Sequence, residues 1–240
     1  MEPIWIGSSI DVRQGQQALE ALNLQNDAKY WVEGLGIIKV DKARWEAAQI
    51  YERDGWMQSW ADAADDRSAE HYQLFDSYNQ VTTNLGVVLE VGCGPFTQLR
   101  QIQHGRIVDR VTLQDPLINS YLNHRHCTYH GGNFFNHPTT LLSCMLEEIT
   151  AVNEFNTLIC NNVLEHVMDV ELCLRNMHAA LITGGLIIFG ERCYDGLDPT
   201  LLYDVGHPIR ICKTIVEQFK YNFEILFERN DNGYFIGRKL

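Results

Sequence analysis

The chain is short of positive charge, of long apolar runs and of paired cysteines, and each shortage removes a class of function. Lys and Arg number 19 against 31 Asp and Glu, a formal net charge of −12. No basic run offsets that balance, so a polyanion would be repelled and no nucleic-acid partner is expected. One arginine would still suffice for a small anion. No apolar stretch is long enough to span a bilayer. Met1-Glu2-Pro3-Ile4-Trp5 has neither the basic nor the apolar region of a secretion signal. The expectation is a soluble, cytoplasmic chain with no membrane contact. The 7 cysteines are odd in number, scattered and never spaced Cys-x-x-Cys, so they read as reduced core residues. His124, His126, His130 and His137 fall close together, yet their spacings match no zinc pattern and no metal is expected. Internal repeats and low-complexity segments are absent as well.

What is present is a strand, a turn and a helix start, in that order. Residues 87–91 are apolar apart from Glu90 and rich in valine, as in a strand buried on both faces. Gly92 and Gly94 end the run and let the chain turn with no Cβ to obstruct a ligand on the backbone. Gln98 and Leu99 then restart an apolar pattern that suits a helix. Such an order builds a nucleotide-binding crevice at the carboxyl end of a parallel sheet. A dinucleotide fingerprint would need its third glycine at Thr97, and Pro95 lacks a donor where a pyrophosphate wants one. A nicotinamide-dependent dehydrogenase is therefore disfavoured. Glu90, two residues before the first glycine, is placed either to compensate a positive group or to organise the loop. Residues 111–115 read as a second strand ending in an acid. Asp115 there either accepts both hydroxyls of a ribose or caps a helix opened by Pro116.

Glu90-Val91-Gly92-Cys93-Gly94 resembles motif I, [DE]-x-G-x-G, of the class I S-adenosylmethionine-dependent methyltransferases, with Phe96 where that family often has a third glycine. The resemblance makes Asp115, between Gln114 and Pro116, the ribose-binding acid. In the family a polar residue after the third strand bonds the adenine amino group, and an apolar neighbour packs on the ring. Asn133 and Phe134 match those positions, and from the residues alone they also read as a turn with a core phenylalanine. Residues 155–167 resemble motif IV, and Leu164-Glu165-His166-Val167 marks one large branch of these enzymes, with Asn156 where the branch usually has Asp. This places Asn161, Asn162 and Val163 at the methionyl end of the cofactor and gives His166 the strand-to-helix turn to hold. Residues 181–189, with Gly184-Gly185, resemble a helix stop and fifth strand.

The matching segments run from residue 87 to 191. They imply an α/β fold with a doubly wound, seven-stranded, mostly parallel sheet over residues 86–240 and S-adenosyl-L-methionine as cofactor. Residues 223–228 and 233–237 are the expected closing antiparallel pair, joined by the turn Asn230-Asp231-Asn232-Gly233.

Residues 1–85 are expected to be an N-terminal helical extension, which members of the family commonly use as a lid. Residues 41–60 read as a helix interrupted at Gly55, with Trp45, Ala48 and Tyr51 or Glu52 at helical spacing. Residues 68–80 read as another helix. The aromatics Trp56, Trp60, Tyr72, Phe75 and Tyr78 either line an acceptor pocket or pack as core. Groups that could serve the acceptor follow the fifth strand: Glu191, Arg192, Tyr194, Tyr203, Asp204, His207 and Arg210. Pro208 reads as the first residue of a helix through Phe219, leaving His207 at its exposed entrance as a base or acceptor-orienting group, with Glu191 and Tyr194 beside it. Arg210 would bind an acidic group of the acceptor, alongside Tyr203, Trp60 and Tyr78. The plainer alternative is a histidine cap and a surface arginine. The expected function is methyl transfer to an oxygen or nitrogen of a small molecule or peptide. The alternative is a non-catalytic adenosylmethionine-binding protein with a sensing or partner-binding role.

Overall fold

The apolar runs become strands of one sheet because each is buried on both of its faces. The computed structural model describes residues 27–61, 81–102, 106–130, 133–134, 137–196, 204–229 and 233–240. Its strands, in chain order, are β1 (Trp31–Val32), β2 (Gly36–Ile37), β3 (Asn84–Val91), β4 (Ile107–Gln114), β5 (Asn133–Phe134) and β6 (His137–Leu142). There follow β7 (Phe155–Asn161), β8 (Leu181–Glu191), β9 (Arg210–Ile211), β10 (Phe223–Glu228) and β11 (Gly233–Lys239). The main sheet runs β10-β11-β8-β7-β3-β4-β6, with the two-residue β5 added at its edge. Strands β8, β7, β3, β4 and β6 are mutually parallel, while β11 is antiparallel to β8 and β10 to β11. This is the expected seven-stranded, mostly parallel arrangement, including its closing antiparallel pair.

Alternate residues of each run enter two separate cores. Leu89 and Val91, Leu158 and Cys160, Ile187 and Phe189 pack on one side, with α4 (Val170–Ala180) and α5 (Lys213–Lys220). Val88, Ile159, Ile188 and Ile236 pack on the other, with α2 (Leu99–Ile102) and α3 (Ile118–Tyr121). Two-sided burial of this kind selects continuous apolar strands rather than alternating ones.

Three segments differ from their expected form. The third parallel strand is β6, so Asn133 and Phe134 precede it and pair antiparallel with it as β5. Only Leu141 and Leu142 are apolar in β6, too short a run to mark a strand. Gly184 and Gly185 do not stop a helix. α4 already ends at Ala180, and the β7–β8 register slips between Phe155–Leu181 and Thr157–Leu186, so residues 182–185 bulge. Residues 208–211 are not helical. Ile209 and Ile211 are buried, β9 pairs with β2, and α5 begins only after Cys212. The expected helix over 41–60 is α1 (Lys42–Asp54), capped by Asp41 accepting from the Arg44 amide at 2.9 Å, then a π-helical turn at Gly55–Ser59. At Gly55 a Cβ would lie 2.4 Å from the Trp60 ring, so a larger residue would have to displace that ring. The helix expected over 68–80 and the turn at 230–232 lie outside the described residues.

Strands β1, β2 and β9 form a second, small antiparallel sheet. It ties the segment ahead of α1 to the segment after β8, and so holds α1 over the carboxyl ends of the main strands. Gly36 allows the close pairing: it has φ +86°, and a Cβ would meet the Arg210 carbonyl oxygen at 2.1 Å.

Candidate active site

The carboxyl ends of β3, β4, β6 and β7 open into one crevice, the position where parallel α/β sheets take ligands. Counted together with its solvent-open mouth, it measures about 890 Å³. Its floor is the turn after β3. Gly92 has φ +58°, and a Cβ there would fall 2.6 Å from the Val163 methyls. Gly94 has φ +55°, but a Cβ would meet nothing within 4 Å, so its backbone lies open. Cys93 lines the crevice through this turn while its side chain enters the core and reaches the Tyr129 hydroxyl.

Glu90 organises this turn from behind. Its carboxylate accepts from the Thr97 hydroxyl, from the Gln98 amide at 2.6 Å and from the Leu99 amide at 3.0 Å, and so caps α2. Burial pushes its carboxyl up to about 7 against the pull of those donors. Gln114 bridges strands, accepting from the Gly92 amide at 3.3 Å and donating to the Cys144 carbonyl at 2.6 Å. Asp115 lines the crevice and accepts from the Gly94 amide at 3.1 Å and the Leu117 amide at 2.8 Å. Burial likewise pushes it up to about 7.

The opposite wall follows β7. Asn162 takes φ +57° and donates its amide to the Gly190 carbonyl at 2.7 Å. Glu191 accepts from the Val163 and Leu164 amides at 2.8 and 3.1 Å, which fixes the single 3-10 turn Leu164–His166. Asn161, Asn162, Val163 and His166 line the crevice here. Helix α1 closes the top with Trp45, Gln49 and Glu52, and Trp56 follows from the π turn. Trp45 Nε1 and Gln49 Nε2 both donate to the His166 carbonyl at 3.0 Å, fastening this helix to the β7 turn. Phe96, in place of a third glycine, packs edge-on against Trp56 at 5.5 Å.

The structure thus gathers Gly92, Cys93, Gly94, Gln114, Asp115, Pro116, Asn161, Asn162 and Val163 around one crevice, with Glu90 beneath. Asn133 and Phe134 stand before the third strand. The residues that follow it and line the crevice are Met145, Leu146 and Glu147. Sequence reading missed these three, as it missed Gln49, although Trp45, Gln49, Glu52 and Trp56 share a helical spacing that could have found it.

The groups expected at the acceptor are arranged differently. Glu191 is buried and spends its carboxylate on backbone amides, with its carboxyl pushed up to about 8 by burial. Tyr194 is buried and donates to Glu165 at 2.9 Å. His207 Nδ1 meets Asp204 at 2.7 Å, and its Nε2 lies 3.5 Å from Glu165. Arg210 is 1% exposed and bonds Asp27 at 3.0 Å, which Arg44 grips from the other side at 2.8 Å, so it is a structural cation rather than a surface one. Trp60 stands behind Trp56, with ring centroids 5.3 Å apart. Tyr203, Tyr78, Tyr72 and Phe75 lie outside the described residues.

Among the described residues no helix is long and apolar enough to cross a membrane. No curated protein sequence matches the chain. The sequence profile of the family described as "Methyltransferase domain" matches residues 89–189. Among solved structures, the N-methyltransferase NodS from Bradyrhizobium japonicum, in complex with S-adenosyl-L-homocysteine, is 14% identical with a TM-score of 0.58, covering 82% of this chain and 98% of its own. The Burkholderia thailandensis 1,6-didemethyltoxoflavin-N1-methyltransferase is 18% identical with a TM-score of 0.54, covering 88% of this chain and 97% of its own. The [4+2]-cyclase SpnF is 17% identical with a TM-score of 0.58, covering 82% of this chain and 77% of its own. At such identities the likeness is one of fold. Joined to the profile match across the crevice-forming strands, it makes residues 89–189 similar to a methyltransferase domain, on a fold shared with these enzymes.

Proposed function

We propose that the crevice binds S-adenosylmethionine and that the chain transfers its methyl group to an oxygen or nitrogen of a small-molecule or peptide acceptor. The observation that carries this reading is the pairing of the open Gly94 backbone with the Asp115 carboxyl at the head of β4, both under α1. The crevice residues fit the cofactor. Asp115 would accept the ribose hydroxyls, Met145 and Leu146 offer an apolar face for the purine, and Asn161 and Asn162 supply polar groups for the methionyl end. In this reading Asn133 and Phe134 support the edge of the sheet beside β6. The cofactor supplies an already activated methyl group, so the protein's task is to hold the nucleophile close and in line.

Helix α1 and the π turn after it act as the lid that excludes water, with Trp45 and Trp56 as its apolar underside. Glu191 and Tyr194 act as positioning residues, one through the 163–164 amides and the other through Glu165. His166 lines the crevice wall and packs edge-on against His207, with ring centroids 4.8 Å apart. The test is transfer of labelled methyl from S-adenosylmethionine to a panel of amine, hydroxyl and peptide acceptors. Turnover on one acceptor class supports the reading and names the nucleophile. Tight cofactor binding with no turnover on any class favours a sensing or partner-binding role.

A further inference from the structure

Beside the crevice, Glu165, His166 and His207 bring two imidazoles and a carboxylate together, with one potential ligand atom from each lying within 4.8 Å of the others. Residues 165 and 166 come from the turn after β7, and His207 comes from the segment leading into β9. Glu165 Oε1 lies 3.5 Å from His207 Nε2 and 3.8 Å from His166 Nε2. Ligand atoms about 2.0–2.2 Å from a tetrahedral ion stand roughly 3.3–3.5 Å apart, so small side-chain rotations would close the set. We propose that these three residues bind a divalent transition-metal ion such as Zn²⁺ or Co²⁺, with its remaining positions open to water or to an oxygen ligand.

The surroundings are those of a metal site as much as of an ion pair. Asp204 Oδ2 sits 2.7 Å from His207 Nδ1, which fixes the ring with Nε2 facing Glu165. A carboxylate behind a ligating histidine holds its tautomer in this way and raises its basicity. The Tyr194 hydroxyl donates to Glu165 Oε2 at 2.9 Å, leaving Oε1 for the ion. The backbone is fixed on both sides: Trp45 and Gln49 hold the His166 carbonyl, and the Ile209 amide donates to the Glu165 carbonyl at 3.3 Å. Glu165 and Asp204 supply two carboxylates to the cluster, whose charge a divalent ion would balance. Two imidazoles with one carboxylate suit zinc, cobalt or iron better than magnesium or calcium. His166 lines the crevice, so the ion would stand at the wall facing the acceptor space.

The site is tested with the chelator-stripped full chain, titrated with Co²⁺ by visible absorption and with Zn²⁺ by calorimetry. Neither readout depends on S-adenosylmethionine, so failure here is distinct from failure of the methyltransferase reading. The expected result is saturation at one ion per chain, weakened about 100-fold or more in Glu165→Gln and His207→Gln, and about 10–100-fold in Asp204→Asn. The exposed His126 serves as a control, and His126→Gln should bind as the parent does. Thermal melts establish that each variant is folded, and Asp204→Asn carries the test if the ligand variants are not. Absence of saturation at one equivalent, or undiminished binding in the folded variants, would overturn the proposal and leave the cluster as a proton-shared ion pair.

Discussion

At the level of single residues, burial sets the charge of the acids that shape the crevice. Asp115 and Glu90 are each pushed up to about 7, and Glu191 to about 8, while the same groups in an unfolded chain titrate near 4. Between those values the folded state holds more protons than the unfolded state, so stability falls as pH rises through the window. The melting temperature of the ligand-free protein is therefore expected to rise as pH is lowered from about 8 to about 5.5. Ligand binding has the opposite sign. With the ribose held as proposed, ionised Asp115 accepts from its hydroxyls more strongly than the protonated carboxyl does, so S-adenosylhomocysteine affinity should increase with pH up to about 7, with proton release visible in buffers of different ionisation heat. Asp115→Asn should weaken binding and remove that dependence. Gly92→Ala combines a left-handed φ with a clash against Val163, and a loss of about 1–3 kcal/mol in a denaturant titration is expected. Gly92, Gly94 and Asp115 were legible because each closes an apolar run. Met145, Leu146 and Glu147 were not, because the strand before them is too short and too polar to announce itself.

Among elements, α1 gives the crevice its cover, and two contacts decide where it lies. Its underside is fastened through Trp45 and Gln49 to the His166 carbonyl. Its amino end is fastened through Arg44, which shares Asp27 with Arg210 in a buried cluster. Removing the central carboxylate would leave two buried guanidinium groups without their counter-charge. Asp27→Ala is expected to lose about 3–5 kcal/mol, read as a lower melting temperature and denaturant midpoint. Because Trp45 and Trp56 line the crevice, cofactor-product binding should change tryptophan fluorescence, and Trp45→Phe with Trp56→Phe together should abolish most of that change. The helix itself was visible in the sequence through its 3.6-residue spacing. What it covers was not, since the small sheet that aims it joins residues 36–37 to 210–211, a pairing no local pattern encodes. The same pairing turned the expected helix after Pro208 into β9, with Ile209 and Ile211 buried as a strand would have them.

Across the whole molecule, the apolar runs of β3, β7 and β8 are covered by two cores from opposite sides. Those runs survive translation into structure because two-sided burial leaves few polar positions to confuse the reading. The acceptor region was far less legible. Its groups come from the turn after β7 and the segments around β8 and β9, far apart in sequence, and the fold spends several of them on its own support. Glu191 caps a turn, Arg210 neutralises Asp27, and Tyr194 holds Glu165. What remains facing the crevice includes the open Gly94 backbone and Asp115 at the end of β4. Calorimetric titration with S-adenosylhomocysteine, on the parent chain and on Asp115→Ala, addresses that crevice directly. Binding at one equivalent that the substitution weakens tenfold or more, about 1.4 kcal/mol, is the expected result. No heat of binding to the folded parent chain would contradict the reading of this crevice as a cofactor site.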